Sequence, residues 1–368
     1  MSQQQPKVLF ILHIPPPVNG AAMMGKYLMD SELINSGFDA DYINLSSSSS
    51  LDAIGKGGVG KILAVAKILF KVFLALLRKK YDLCYLTLTA KGVGFYKDAL
   101  VIGLVKLFGV PRVYHFHNKG VSKNVDAGWK RALYRFVFKD AHCILLSPHL
   151  YYDIAAFVPK ERVFYCPNGI REEHDTSLTE KQLDAPCNFL FLSNMMEEKG
   201  VLVLLEATKI LKQRNLDFTC HFVGAWSDVG EKEFFNIVSE NQLETMVFAH
   251  GKQYGADKAR FFKAADVFVF PTYYHNECFP LVLLEAMQYS LPIISTNEGG
   301  IADIVIEGKT GLMAKQQDAL DLANTMQQLL QDSLSRKRMG SNGKKHFKNK
   351  FTHAIFERNM FDILGSLH

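Results

Sequence analysis

A membrane-spanning run is missing from this chain of 368 residues. The best candidate, 62–77, is interrupted by Lys67 and Lys71 and falls short of the roughly 18 apolar residues a crossing helix requires. The amino-terminal apolar run, which stops at Pro15-Pro16-Pro17, lacks the basic flank and small-residue cleavage site of a secretory leader. No two of the six cysteines (Cys84, Cys143, Cys166, Cys187, Cys220, Cys278) make a C-x-x-C pair. That spacing argues for buried, reduced thiols in a cytoplasmic protein and against a disulfide framework or zinc site. Strong net charge is absent too: +5 is too mild to argue for nucleic-acid binding. Its distribution is less even. Residues 1–170 carry 21 basic and 11 acidic side chains, and 171–368 carry 21 and 26.

With 48% hydrophobic and 21% charged residues the chain is no disordered polymer, and its length suggests two domains. Apolar runs at 7–13, 41–45, 82–88, 112–116, 142–146 and 162–166 read as strands, with helical stretches at 21–35, 61–80 and 95–108 between them. The pattern restarts with strands at 188–194, 218–224, 246–251, 267–271 and 292–296 and helices at 199–213, 231–242, 257–265 and 281–290. Strand alternating with helix implies parallel sheets covered on both faces. The expectation is α/β: two Rossmann-like lobes, 1–170 and 171–350, joined near Pro167-Asn168-Gly169-Ile170. Ligands of such sheets bind beyond the carboxyl ends of the strands, so the chemistry belongs in loops facing a cleft.

The glycine-rich segment 56–61, KGGVGK, is not a phosphate loop. Such a loop needs Ser or Thr after its lysine to hold magnesium, and Ile62 stands there. The G-x-G-x-x-G of a dinucleotide site is missing as well. Gly20, between the first strand and first helix, fits either a plain turn or a phosphate approaching a helix N-terminus. His115 and His117 fall on one face of a strand, but no third ligand has metal-site spacing, and His117 is nearer the loop. Glu277 precedes Pro280, and Glu285 lies in the helix that Pro280 helps to start. A helix beginning near Phe279 offers backbone N–H groups to a phosphate, with the two carboxylates placed to accept from hydroxyls on either side.

The segment ECFPLVLLEAM, with Glu277 and Glu285 as its E-x7-E, followed by GGIADIVIEGKTGL, resembles the retaining glycosyltransferases of family 4, which have the GT-B fold. PPPVNGAA, HFHN, CPNGI and SNMMEEKG resemble that family's glycine loop, histidine loop, lobe-ending segment and phosphate loop. The resemblance implies that Lys199 neutralises a donor diphosphate and that Gly20 lies close to it. Glu277 is then the carboxylate holding the donor sugar, beside the backbone of Cys278 and Phe279 and the helix start at Pro280 and Leu281. Glu285 is the carboxylate on the ribose hydroxyls, and His117 the histidine near the transferred sugar. Asn194 departs from the pattern, standing where the family has an arginine, so one cation at the leaving diphosphate is missing. The final helix, about 351–368, is expected to return to the first lobe.

The implied activity is transfer of a sugar, with retention, from a nucleotide-sugar donor to a glycan or lipid-linked saccharide in surface-polysaccharide assembly. No D-x-D motif lies on a strand end, so no metal and no other cofactor is expected. A sugar-nucleotide epimerase and a catalytically silent sugar-nucleotide-binding protein remain as alternatives. On the helix 61–80, Lys67, Lys71 and Arg78 fall within about 40° of one another. They read either as a solvated stripe on a core helix or as a contact with an anionic membrane surface, where each base contributes about 1 kcal/mol. Lys119, Lys123, Lys130, Arg131, Arg135 and Lys139 extend that charge. Location on the inner face of the membrane follows from the second reading.

Overall fold

The computed structural model describes residues 5–16, 19–46, 59–125, 128–173, 175–176 and 186–367. The chain divides into two compact units, 1–169 with 353–368, and 170–352. Four of the five serines, 47–50, and the first half of KGGVGK, 56–58, lie outside the described residues.

The six expected strands of the first unit form one parallel sheet: β1 (Lys7–Leu12), β2 (Asp39–Asn44), β3 (Leu83–Leu88), β4 (Arg112–Phe116), β5 (His142–Leu145) and β6 (Val163–Tyr165), in the order β2-β1-β3-β4-β5-β6. Every residue of β3 and β4 is buried, which is why these runs show no polar alternation. The expected helix 21–35 is two helices, Gly20–Asp30 and Glu32–Gly37. Ser31 breaks it: its hydroxyl accepts from Ile34 N at 3.2 Å and caps the second piece. Helix His353–Gly365 belongs to this unit, with the Phe361 ring 5.3 Å from that of Phe38.

The second unit repeats the plan with β7 (Cys187–Leu192), β8 (Phe218–Val223), β9 (Val247–Ala249), β10 (Val267–Phe270), β11 (Ile293–Thr296) and β12 (Gly311–Ala314), ordered β12-β11-β10-β7-β8-β9. Phe189, Phe191, Phe218 and Phe222 are fully buried along β7 and β8, each stabilising the core by about 1.5–3 kcal/mol. In each sheet the order reverses at one place, between β1 and β3 and between β7 and β10. The crevice at such a reversal is where open α/β sheets bind ligands.

Helix Val59–Arg78 differs from a core helix. Of its apolar residues, Ile68, Val72 and Leu76 are buried, but Ile62, Leu63, Phe70, Phe73 and Leu77 are exposed.

Candidate functional site

The reversal in the second sheet sets the loop after β7 against the loop after β10. A short 3-10 turn, Glu197–Lys199, ends at Gly200, whose φ of 87° leads into helix Val201–Gln213. A Cβ at Gly200 would lie 2.3 Å from the carbonyl oxygen of Pro271, so only glycine lets the loops approach. Tyr273 N donates to Glu198 O at 2.8 Å, tying the loops together.

This arrangement brings Lys199 Nζ onto Glu277 Oε2 as a charge-assisted hydrogen bond. The ammonium also lies 4.5 Å from the Tyr274 ring centroid and 5.4 Å from that of Phe270. The Cys278 and Phe279 side chains are buried, so this segment can present only backbone to a ligand. Gly300 N donates to Cys278 O at 2.6 Å and holds the loop from behind. Helix Leu281–Gln288 starts at the first residue of the expected stretch 281–290, with Pro280 as its N-cap. No side chain caps its first-turn N–H groups, the arrangement that suits an anion.

Glu285 lies on the outward side of that helix with Leu281 and Val282, while Leu283, Leu284, Ala286 and Met287 face the core. Its Oε1 accepts from Lys258 Nζ at 2.7 Å. Lys258 comes from helix Gly255–Ala264 and has no motif of its own; sequence reasoning missed it and the aromatic cradle of Lys199. Asn194 is exposed just past β7, and Glu197 N in the same loop donates to Asp228 Oδ1 at 3.1 Å. Asp228 thus borders the loop that carries Asn194.

In the first unit, Gly20 opens helix Gly20–Asp30, and Asn19 Oδ1 caps it by accepting from Ala22 N at 3.0 Å. His117 follows β4 with its ring centroid 4.2 Å from that of His115, which shares a 2.7 Å hydrogen bond with the Tyr85 hydroxyl. Both ring nitrogens of His117 are buried. Burial pulls its pKa down to about 4, opposed by the Asn168 side chain beside it. His13, just past β1, is held lower still, at about 3, by burial and by repulsion from Lys97 and His117. Lys97 is itself buried, 3.3 Å from Asp98 and donating to Leu45 O at 2.8 Å. His13, Lys97 and Asn168 thus join His117 in this unit, three residues that no motif marked. Among the described residues no three of His, Cys, Asp and Glu gather as metal ligands would.

The fold is GT-B. The Anabaena protein HepE, solved in complex with UDP, superposes with a TM-score of 0.71 over 98% of this chain and 100% of its own, at 19% identity. Residues 180–346 match the family model "Glycosyl transferases group 1". The chain is 30% identical over 164 residues to a D-inositol 3-phosphate glycosyltransferase of Arthrobacter sp. (strain FB24), 43% of this chain and 38% of that protein. It is 27% identical over 168 residues to the capsular polysaccharide biosynthesis glycosyltransferase CapM of Staphylococcus aureus, 45% and 42%. The chain thus spans under half the length of these two relatives.

Proposed function

We propose that this chain transfers a sugar, with retention and without a metal, from a nucleotide-sugar donor to a glycan or lipid-linked saccharide of surface-polysaccharide assembly, on the cytoplasmic side of the membrane. The observation that carries the reading is the Lys199–Glu277 pair beside an uncapped helix start at the β7/β10 reversal. Capsule assembly by CapM and the UDP held by HepE support the acceptor class and the donor. Six buried cysteines, none in a disulfide, suit a reducing compartment.

The donor's anomeric carbon loses its bond to the diphosphate while a bond forms to the acceptor oxygen on the same face. Charge grows on the leaving diphosphate, where Lys199 and the helix N–H groups stabilise it. The acceptor's proton goes to a diphosphate oxygen, so no side chain need serve as base. Glu277 holds the sugar hydroxyls once the diphosphate draws Lys199 away, Glu285 the ribose, and His117 the region of the transferred sugar. The test is release of nucleoside diphosphate with a polyprenyl-linked saccharide acceptor, in wild type and in Glu285→Ala. Transfer lost in the variant supports the reading. Conversion of the donor without acceptor indicates an epimerase, and donor binding without release a silent binding protein.

A further inference from the structure

In the first unit, the connections from β2 to β3, from β3 to β4 and from β4 to β5 all run the same way along the sheet. Right-handed crossovers therefore put helices Val59–Arg78, Gly92–Leu107 and Gly128–Phe138 on one face. Ring contacts connect them: Phe73 to Phe108 at 6.0 Å, Tyr96 to Trp129 at 5.9 Å, and Lys106 Nζ 4.2 Å from the Phe136 centroid.

The outer side of this layer is apolar where a solvated helix would be polar. Leu63, Phe70 and Leu77 recur every seventh residue on the first helix, and Leu100 and Leu107 do so on the second. These five are between 57% and 77% exposed, and Trp129 on the third is 60% exposed. On the first helix the exposed apolar residues from Ile62 to Leu77 cover about 100° of arc, with Ile68, Val72 and Leu76 on the buried side. Lys67, Arg78 and Lys71 border the apolar stripe on its remaining edge. An apolar stripe of this size exposed beside a basic one is the pattern of a helix lying in a membrane interface.

We propose that this three-helix face docks on an anionic bilayer, with its apolar side chains entering the headgroup–acyl boundary and its bases meeting lipid phosphates. Charge selects the bilayer over a second copy of the chain. The three helices hold Lys67, Lys71, Arg78, Lys106, Arg131 and Arg135 among their bases. Asp98 is their sole acid by sequence, and it is fully buried against Lys97. A two-fold contact would press this basic face against itself, whereas an anionic surface attracts every one of these bases. The inference stands apart from the transfer reaction, because it uses no residue of the donor site.

The experiment is sedimentation of the full chain with vesicles of phosphatidylglycerol and phosphatidylcholine, against vesicles of phosphatidylcholine alone. Trp129 fluorescence is read in Trp226→Phe, which leaves Trp129 as the sole tryptophan. The expected result is at least tenfold tighter binding to the anionic vesicles, weakened by salt, with a blue shift of Trp129. Phe70→Glu with Leu100→Glu should abolish the shift and the binding. Lys67→Glu with Lys71→Glu should bring anionic binding down towards the neutral-vesicle level. Thermal melting of each variant, with and without nucleotide sugar, separates loss of docking from loss of fold or donor site. Failure to bind at low salt, binding indifferent to the two glutamates in the apolar stripe, or a blue shift from dimerisation without lipid would each overturn the proposal.

Discussion

Lys199 and Glu277 are 78 residues apart in sequence, yet their side chains form an ion pair where the loops after β7 and β10 meet. Their side chains are 14% and 11% exposed, so neither is freely hydrated. The lysine proposed for the diphosphate is therefore held by the carboxylate proposed for the sugar. On that proposal, donor binding exchanges one anion for another at the same ammonium.

Replacing Lys199 by Ala leaves that carboxylate without its partner, at a cost of about 1–3 kcal/mol in folding stability. The same change should lower kcat by about 10²–10³, because the leaving diphosphate loses its cation. Glu277→Gln keeps a hydrogen-bonding group and should melt closer to wild type. Denaturant unfolding and steady-state transfer rates on the variants check both statements.

Glu285 and Lys258 form a half-exposed pair at 2.7 Å, so Lys258→Ala should cost less than about 1 kcal/mol in stability. Glu285→Ala removes the acceptors proposed for the ribose hydroxyls, each charged hydrogen bond contributing about 1.5–3 kcal/mol. Donor affinity should fall at least tenfold in Glu285→Ala and much less in Lys258→Ala. Titration calorimetry with the preferred nucleotide sugar measures the difference.

The histidines of the first unit set an acid limit. His117, at about 4, and His13, at about 3, sit below the ordinary value of 6.5 that they regain on unfolding. The unfolded chain therefore binds more protons as pH falls below about 6.5, and stability falls with it until the folded values are passed. Melting temperature should be level above about pH 7 and drop between pH 6.5 and about 4. His117→Asn should reduce that slope. A variant as acid-sensitive as wild type would count against the buried neutral imidazole.

Gly299 has a φ of 57°, and a Cβ there would lie 2.3 Å from Glu277 O and 2.8 Å from Cys278 O. Gly299→Ala should cost about 1–3 kcal/mol and displace the loop carrying Glu277. Transfer activity should fall further than stability alone explains, measured below the variant's melting temperature.

The strands were legible because buried parallel strands are continuous apolar runs, as Val267–Phe270 shows. β12 was not: Gly311–Ala314 is four residues long and opens with glycine. Ser31 hid a helix break inside an otherwise helical stretch, where a cap cannot be told from a surface serine. The E-x7-E segment was readable because its parts are local. The pairings Lys199–Glu277 and Lys258–Glu285 were not, since the sheet order and the helix after β9 create them. Periodicity likewise marked the apolar face of helix Val59–Arg78 without saying whether core or solvent meets it.

A thermal-shift series with UDP-, GDP-, ADP- and dTDP-sugars, on wild type and Glu285→Ala, tests the central claim most directly. Binding at 100 times Kd stabilises a protein by about 2.7 kcal/mol. The expected result is a clear rise in melting temperature with the sugars of one nucleotide, greatly reduced in Glu285→Ala. No rise with any of the four, or an equal rise in the variant, would contradict a nucleotide-sugar site at the β7/β10 reversal.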